Sequence, residues 1–309
     1  NTTASTNKTI TIDTNGKTLT RNKSITTTGG TLTIEGSGTI YCNADVAVIE
    51  SQNGDVTVSG KPTIRGVHHA IHVKAGTSGE INVDGGYYYS TKRSGMGLYG
   101  SGEVNISSAY VYTPVRNKNA IYVGNGSTSK VTITGSTIGN ATNNTEGAEN
   151  DDDEEVAGAI SYASTGTLSI NNSRILAGPY GANAIMVYKP TSINLTGSTS
   201  LYTTNTSDTA NVVWIITSGV KVTFNSTGYF YGTGSYVAAT DKNYSATYTV
   251  TKGHFVSRNN KYMFYKSGAA DTNYASSSSP GNRNFVYMDA YNSTVVKVIP
   301  NCYYYTKGV

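Results

Sequence analysis

Short apolar runs recur along the chain at a nearly constant spacing. An apolar pair led by a small residue repeats at Ala70-Ile71, Gly97-Leu98, Ala120-Ile121, Ala159-Ile160, Ala184-Ile185 and Val212-Val213. An alternating segment follows each pair, and these segments have their first apolar residues at Leu32, Val56, Ile81, Val104, Val131, Leu168, Ile193 and Val222. A third short segment comes one or two turn residues later. Three short strands per repeat of about 25 residues predict a three-sided parallel β-helix, whose stacked coils bury one continuous core.

Alternation within the third strand assigns its two faces, because successive side chains of a strand point to opposite sides. The residues predicted to point inward are Ile40, Ile64, Tyr88, Val111, Ile138, Ile175, Leu201 and Phe230. We therefore predict an all-β solenoid of about eight to ten coils, with a β-sandwich as the competing fold.

The repeat also predicts the division of the chain. Residues 1–257 form the solenoid, and the acidic segment 143–155 is a loop inserted into one turn. Residues 258–309 form a distorted terminal coil and an irregular C-terminal cap, because solenoid ends must hide their strand edges.

Asparagine recurs at one position of the repeat. Asn119, Asn183 and Asn211 each precede the small-apolar pair, and His69 occupies that position in an earlier coil. Stacked asparagines could hydrogen-bond from coil to coil, although asparagine is also simply common in turns.

Two segments carry a family resemblance. Thr9-Ile10-Thr11-Ile12-Asp13-Thr14-Asn15-Gly16-Lys17-Thr18-Leu19 and Ile81-Asn82-Val83-Asp84-Gly85-Gly86-Tyr87-Tyr88 resemble the coils of pectate-lyase-like right-handed β-helix domains in bacterial cell-surface and secreted proteins. The resemblance covers roughly residues 8–257 and implies a right-handed solenoid that is secreted or lies at the cell surface. The fold carries lyases, hydrolases, adhesins and phage spikes alike, so the resemblance implies architecture rather than activity.

The amino-acid composition is typical of a β-strand protein and argues against some kinds of binding partner. The chain has 34 Gly and 25 Tyr but only 14% charged residues, and its net charge is +4. Its lysines and arginines are scattered, so we expect no nucleic-acid binding. No apolar stretch approaches the ~18–20 residues of a membrane-spanning helix, so we expect no transmembrane segment. Cys42 and Cys302 fall near opposite ends of the predicted rod, which predicts two free thiols.

Candidate catalytic residues lie in the early coils. Lyases with this fold need carboxylates for Ca²⁺ and a basic residue that abstracts a proton beside a uronate, and the candidates for such a set are Glu50, Arg65, His72, Lys74 and Asp84, together with His68, His69, Lys92 and Arg93. The alternative is an ordinary solvated polar face.

Asp55, Glu80 and Glu103 are predicted to stack in one carboxylate column. Hydrolases with this fold need two or three neighbouring carboxylates. Lys130 and Lys221 hold the same position in later coils, which favours surface variation instead.

The acidic run between Glu146 and Glu155 contains seven carboxylates. Its oxygens could hold Ca²⁺, but the glycine and the alternating ligands of a Ca²⁺ loop are missing. We therefore predict a solvated loop and neither a bound metal nor a cofactor.

Tyrosine dominates the predicted outer face of the third strand. The position after each inward residue reads Tyr41, Arg65, Tyr89, Tyr112, Gly139, Leu176, Tyr202 and Tyr231, and the position before adds Tyr87, Tyr110 and Tyr229. Aromatic faces at the coil spacing would form a strip on which sugar rings can stack. The alternative is cross-strand pairing that only stabilises the sheet.

These patterns lead to an expected function. We expect a monomeric, secreted or cell-surface protein that binds glycans or a host surface in the manner of an adhesin, without catalysis. A polysaccharide lyase or glycoside hydrolase acting on an acidic polysaccharide is the alternative. A structural stalk segment is the second alternative.

Overall fold

Parallel strands make up the repetitive part of the chain. The computed structural model describes residues 3–257, except 6–7, 125, 148–157, 208–209, 234–236 and 242, and the backbone of four later strands. No helix occurs in this described part. The first twelve strands are β1 (Thr3–Ser5), β2 (Thr9–Asp13), β3 (Thr18–Arg21), β4 (Ile25–Thr28), β5 (Thr31–Glu35), β6 (Thr39–Cys42), β7 (Ile49–Ser51), β8 (Asp55–Val58), β9 (Thr63–Gly66), β10 (Ile71–Val73), β11 (Ile81–Asp84) and β12 (Tyr87–Ser90).

The middle of the chain continues this order. Its strands are β13 (Met96–Leu98), β14 (Val104–Ser107), β15 (Tyr110–Thr113), β16 (Ile121–Val123), β17 (Val131–Thr134), β18 (Thr137–Asn140), β19 (Gly158–Tyr162), β20 (Leu168–Asn171), β21 (Arg174–Ala177), β22 (Asn183–Val187), β23 (Ser192–Gly197) and β24 (Ser200–Thr203). The last strands are β25 (Val213–Ile215), β26 (Val220–Gly232), β27 (Ala238–Thr240), β28 (Ala246–Ser257), β29 (Phe264–Lys266), β30 (Phe285–Met288), β31 (Val295–Ile299) and β32 (Tyr303–Thr306).

The strands stack into three parallel columns, here called sheets 1, 2 and 3. Sheet 1 contains β1, β4, β7, β10, β13, β16, β19, β22, β25, β27 and β29. Sheet 2 contains β2, β5, β8, β11, β14, β17, β20 and β23, and sheet 3 contains β3, β6, β9, β12, β15, β18, β21 and β24. The long strands β26 and β28 pass from sheet 2 into sheet 3. The chain is therefore a parallel β-solenoid of about nine turns, which confirms the predicted all-β fold.

The core runs along the inside of the three sheets. All eight third-strand residues predicted to point inward have no exposed surface, so the assigned alternation is confirmed. Aliphatic residues stack in register from coil to coil, as Val56, Ile81 and Val104 do in sheet 2. Each fully buried aliphatic side chain contributes about 1.5–3 kcal/mol.

One part of the predicted repeat is wrong. Ile71 and Ile121 both pair with Met96, so the small-apolar pair of that coil is Gly95-Met96 and not Gly97-Leu98. Met96 and Leu98 are both buried and point the same way along β13, so alternation alone could not separate them. Residues 71, 96 and 121 now give two equal steps of 25.

Glycine forms the corner that leads into sheet 2. A Cβ on Gly79 would lie 2.1 Å from the carbonyl oxygen of Gly54, and one on Gly102 would lie 2.1 Å from that of Gly79. A Cβ has no room at such a distance, so Gly79 and Gly102 must be glycine in this geometry. The requirement does not extend to every corner, since Ser129 stands opposite Gly102 in the next coil.

A polar ladder precedes sheet 1, at the position where asparagine recurs. Asn183 Oδ1 accepts a hydrogen bond from the backbone N–H of Asn211 at 2.9 Å, which confirms coil-to-coil bonding by asparagine. Earlier coils use other groups, since His69 Nδ1 lies 2.8 Å from the carbonyl oxygen of Ser94, and Ser94 Oγ accepts from Asn119 N–H at 3.2 Å.

The acidic segment begins as part of the solenoid wall. Glu146 Oε1 accepts hydrogen bonds from Arg116 Nη2 at 3.0 Å and from Asn117 Nδ2 at 2.8 Å. The carbonyl oxygen of Thr145 accepts from Arg116 N–H at 2.9 Å. Residues 148–157 lie outside the described part, so the predicted loop insertion stays a prediction beyond Gly147.

The C-terminal segment adds a few strands to the solenoid. Strand β29 joins sheet 1 beside β27, and β32 joins sheet 3 beside β28. Strands β30 and β31 pair antiparallel, which fits an irregular cap. Cys42 is a buried free thiol, and Cys302 lies outside the described residues, so the second predicted free thiol stays a prediction.

Candidate functional site

The outer face of sheet 3 carries tyrosine in two columns. The residues, here called the tyrosine strip, are Tyr41, Tyr87, Tyr89, Tyr110, Tyr112, Tyr202, Tyr229 and Tyr231. Neighbouring strands hold them in register, because β12 and β15 pair with Tyr87 opposite Tyr110 and Tyr89 opposite Tyr112. Tyr87, Tyr110 and Tyr229 are 56%, 38% and 49% exposed, and the other five are half-buried.

The strip consists of two clusters. In the first, ring centroids are 5.9 Å apart for Tyr87 and Tyr110 and 5.8 Å apart for Tyr110 and Tyr112. In the second, Tyr202 and Tyr231 are 6.3 Å apart. Their ring planes are tilted by 34° to 50°, so the rings lean on one another instead of lying parallel. These separations lie in the range where aromatic pairs attract.

Strand β18 separates the two clusters with short side chains. Its outward residues are Thr137 and Gly139, which pair with Tyr110 and Tyr112 on one side and with Arg174 and Leu176 on the other. The column of tyrosines is therefore interrupted at this coil.

Arg65 links two members of the first cluster, Tyr41 and Tyr89. Its Nη1 donates a hydrogen bond to Tyr89 Oη at 2.9 Å, and its guanidinium carbon lies 4.7 Å from the centre of the Tyr41 ring. The hydrogen bond to Tyr89 raises the pKa of Arg65, so this arginine keeps its proton. It therefore acts as a fixed positive charge and not as a base that could abstract a proton.

Burial also keeps Tyr110 protonated. The pKa of Tyr110 is raised, first by partial burial and then by Tyr112, while the positive charge of Arg174 acts in the opposite direction. Tyr110 therefore presents a neutral phenol, which can both donate and accept hydrogen bonds.

Arg174 was not among the candidates predicted from the sequence. It is the outward residue directly before Ile175, and Tyr110 and Tyr229 stand at the same position of their own repeats. Its guanidinium carbon lies 5.1 Å from the centre of the Tyr202 ring. The spacing of the repeat already placed Arg174 in the same column as Tyr110 and Tyr229. The prediction missed it because only the tyrosines of that column were considered.

The predicted catalytic residues fall on different faces. Glu50 and His72 are paired neighbours on sheet 1, and Lys74 follows β10 directly. Arg65 belongs to sheet 3, and Asp84 ends a strand of sheet 2. The structure therefore brings Glu50 and His72 together and places Arg65 and Asp84 elsewhere.

The Glu50 and Asp84 carboxylates already accept hydrogen bonds from the protein. Glu50 accepts one from the Gln52 side chain, and Asp84 Oδ1 accepts one from Ser107 Oγ at 2.9 Å.

Histidine rings cluster beside Glu50 at the edge of sheet 1. The ring centroids of His68 and His69 are 4.3 Å apart, and those of His69 and His72 are 5.4 Å apart. The pKa of His69 lies well below its ordinary value, first because the ring is buried and then because His68 and His72 are close. Within the described residues, no group of His, Cys, Asp or Glu side chains is placed to hold a metal ion.

The predicted carboxylate column exists, and Asp55 and Glu103 each interact with a residue of the next coil. Asp55 Oδ1 accepts a hydrogen bond from the backbone N–H of Glu80 at 2.9 Å. Glu103 forms an ion pair of 3.1 Å with Lys130, and both side chains are more than half exposed. This arrangement fits an ordinary charged surface better than a pair of catalytic carboxylates.

The fold and this face define the class of the molecule, a parallel β-solenoid with an aromatic outer sheet. Comparison with family models, curated proteins and solved structures finds no match for this chain. Among the described residues there is no helix of the length and apolarity that a membrane crossing requires.

Proposed function

We propose that this β-solenoid is a secreted or cell-surface, non-catalytic module that binds glycans along the tyrosine strip. One observation supports the proposal above all others. Strand pairing holds tyrosines in register on the outside of sheet 3, and three of them leave between 38% and 56% of their surface exposed. Adhesion to a glycan-coated host surface is the biological setting that suits such a face.

The chemistry of the strip suits sugar rings. The C–H faces of a pyranose stack on aromatic rings, and the phenol hydroxyls can bond to sugar hydroxyls. Parallel strands lie about 4.8 Å apart, so an extended chain of sugars along the solenoid axis would meet one tyrosine after another. The contacts are individually weak, and several rings must act together.

A glycan array tests the proposal directly. The wild-type protein is compared with the double variant Tyr87→Thr/Tyr110→Thr, because threonine already stands at this position in β6, β9 and β18. We expect the wild-type protein to bind a defined set of glycans and the double variant to lose them, with little change in melting temperature.

The control is Tyr244→Ala. Tyr244 is 36% exposed but lies in the turn before β28, away from sheet 3, so this variant should keep its ligands. A wild-type protein that binds no glycan would contradict the proposal and favour a structural stalk. Release of reducing ends or unsaturated products from a bound polysaccharide would contradict the non-catalytic part.

A further inference from the structure

The charged side chains are unevenly divided among the faces of the solenoid. The outward strand positions of sheet 3, from β3 to β26, contain Arg65 and Arg174 but neither aspartate nor glutamate. The carboxylates Asp55, Glu80 and Glu103 lie in or beside sheet 2. The outer face of sheet 3 thus carries positive charge and no negative charge at its strand positions, whereas sheet 2 carries both signs.

The two arginines differ in what they are free to do. Arg65 is half-buried and already donates a hydrogen bond to Tyr89, so one of its N–H groups is used within the strip. Arg174 is exposed, and in the described part of the chain no carboxylate lies within 4.0 Å of its guanidinium. None of the described side chains accepts a hydrogen bond from it either. Its N–H donors are therefore available to a ligand.

Arg174 also stands where the two tyrosine clusters meet. The Tyr202 ring holds its guanidinium from one side, at 5.1 Å. On the other side, the positive charge of Arg174 acts to lower the pKa of Tyr110. Tyr110 lies two strands away, which corresponds to about 10 Å along the axis. The strand between them presents only Thr137 and Gly139, so no large side chain screens the guanidinium from a ligand lying along the strip.

Nothing in the backbone requires glycine at position 139. The residue lies in β18 with no positive φ, and an added Cβ would meet the nearest atoms, Leu176 O and Tyr112 Cδ2, at the ordinary contact distances of 3.6 and 3.8 Å. Glycine inside a strand destabilises it relative to alanine. Gly139 lies diagonally across from Arg174, since its direct partner is Leu176 and Thr137 is the residue opposite Arg174. Its lack of a side chain is thus a cost to the fold that an approaching ligand would explain.

We propose that the tyrosine strip selects anionic glycans, and that Arg174 binds the carboxylate or sulfate group of a sugar whose ring stacks on the neighbouring tyrosines. This inference rests on the proposed glycan-binding function and adds the chemical class of the ligand. Arginine suits the task because its planar guanidinium can donate two parallel hydrogen bonds to one carboxylate or sulfate. The Tyr202 ring restricts the guanidinium before binding, which reduces the entropy lost when a ligand is bound.

The test measures binding of three oligosaccharide probes by calorimetry: an oligouronate, the same oligosaccharide after reduction of its carboxyl groups, and a sulfated oligosaccharide. The wild-type protein should bind at least one of the two anionic probes more tightly than the neutral one. Arg174→Gln should lose about tenfold in affinity for the preferred anionic probe, since it removes a charge-assisted contact, while its affinity for the neutral probe should not change.

Two further variants keep the test specific. Arg174→Lys should recover only part of the affinity, because it restores the charge without the paired donors. Lys221→Gln makes the same charge change on sheet 2, and it should leave all three affinities unchanged. Melting curves of each variant show whether it is folded.

The outcomes separate this inference from the function on which it rests. Equal or tighter binding of the neutral probe would overturn anion selection and leave glycan binding intact. An equal loss in Lys221→Gln would overturn the role of Arg174 and show a dependence on net charge alone. Failure to bind any of these probes, together with an empty glycan array, would overturn both proposals.

Discussion

Sheets 2 and 3 have the same structural role, since both stack one strand of each coil on the next, but their outward residues differ. Each presents one inward and one outward set of side chains, and the two strands of a coil are joined by a short turn. The central outward column of sheet 2 reads Thr33, Thr57, Asn82, Asn105, Thr132, Ser169, Asn194 and Thr223. The matching column of sheet 3 carries five tyrosines and Arg65.

Sheet 2 shows what stacking alone requires. Its short polar side chains bond from coil to coil, as Asn105 Nδ2 does when it donates to Asn82 Oδ1 at 3.0 Å. Since threonine and asparagine suffice there, the tyrosines of sheet 3 exceed the needs of the solenoid. The comparison therefore favours recognition over sheet stabilisation as the reason for the strip.

The largest effect is expected from the inward side of sheet 3. Phe230 has no exposed surface, and its ring centroid lies 4.9 Å from Phe224 and 5.1 Å from Phe255. Phe230→Ala should lower the free energy of unfolding by about 3–5 kcal/mol, as measured by urea denaturation. The neighbouring Tyr231→Ala should cost far less. Equal losses for the two variants would mean that the inward and outward positions of β26 have the same structural role.

The next effect concerns the corner that leads into sheet 2. A Cβ on Gly102 would collide with the carbonyl oxygen of Gly79, so Gly102→Ala should destabilise the protein by about 1–3 kcal/mol. Gly139→Ala is the matched control in sheet 3. It meets only ordinary contacts and should be neutral or stabilising by about 0.5–1 kcal/mol. Similar melting temperatures for the two variants would argue against the stacked corner.

A pH effect is expected at the edge of sheet 1. The folded state holds the pKa of His69 well below 6.5, so the unfolded chain takes up this proton more readily. Stability is then fully present above about pH 6.5 and is lost as the pH falls below it. His69→Asn places in this position the residue that Asn119 and Asn183 provide in later coils. Its melting temperature should fall less between pH 7.5 and 5, and an equally steep fall would exclude His69 as the cause.

The smallest change in stability, and the most direct comparison of the two sheets, comes from one coil. Tyr112 in sheet 3 and Asn105 in sheet 2 are both outward residues of that coil. Tyr112→Ala should cost at most about 1 kcal/mol, the range of a cross-strand pair, and should clearly weaken glycan binding, because one of several stacking rings is lost. Asn105→Ala should leave binding unchanged. Retention of every ligand by Tyr112→Ala would reduce the strip to sheet packing.

Spacing in the sequence was enough to predict the coils, because the inward residues must alternate and must meet their counterparts one coil away. Ile40 and Phe230 follow from that rule, and so does the column of tyrosines. The rule failed at Met96 and Leu98, where two inward residues of one strand fit the repeat equally well.

Contacts made outside the repeat could not be predicted in this way. Arg65 reaches Tyr89 because its long side chain has many conformations, and spacing does not determine which one it adopts. Glu146 contacts Arg116 from within the acidic insertion, which does not follow the repeat. Arg174 was missed for a different reason, because only its column, and not its residue type, connects it with the tyrosines.

The register of sheet 3 also sets how the binding face can change its dimensions. Arg65 and Arg174 lie four strands apart, which is about 19 Å. Single substitutions alter what each coil displays, but they leave this separation fixed. Only the gain or loss of a whole coil changes it, in steps of about 4.8 Å. The length of the face therefore depends on the number of repeats that the gene encodes, each of about 25 codons. Duplication or loss of a repeat changes this length by one coil at a time.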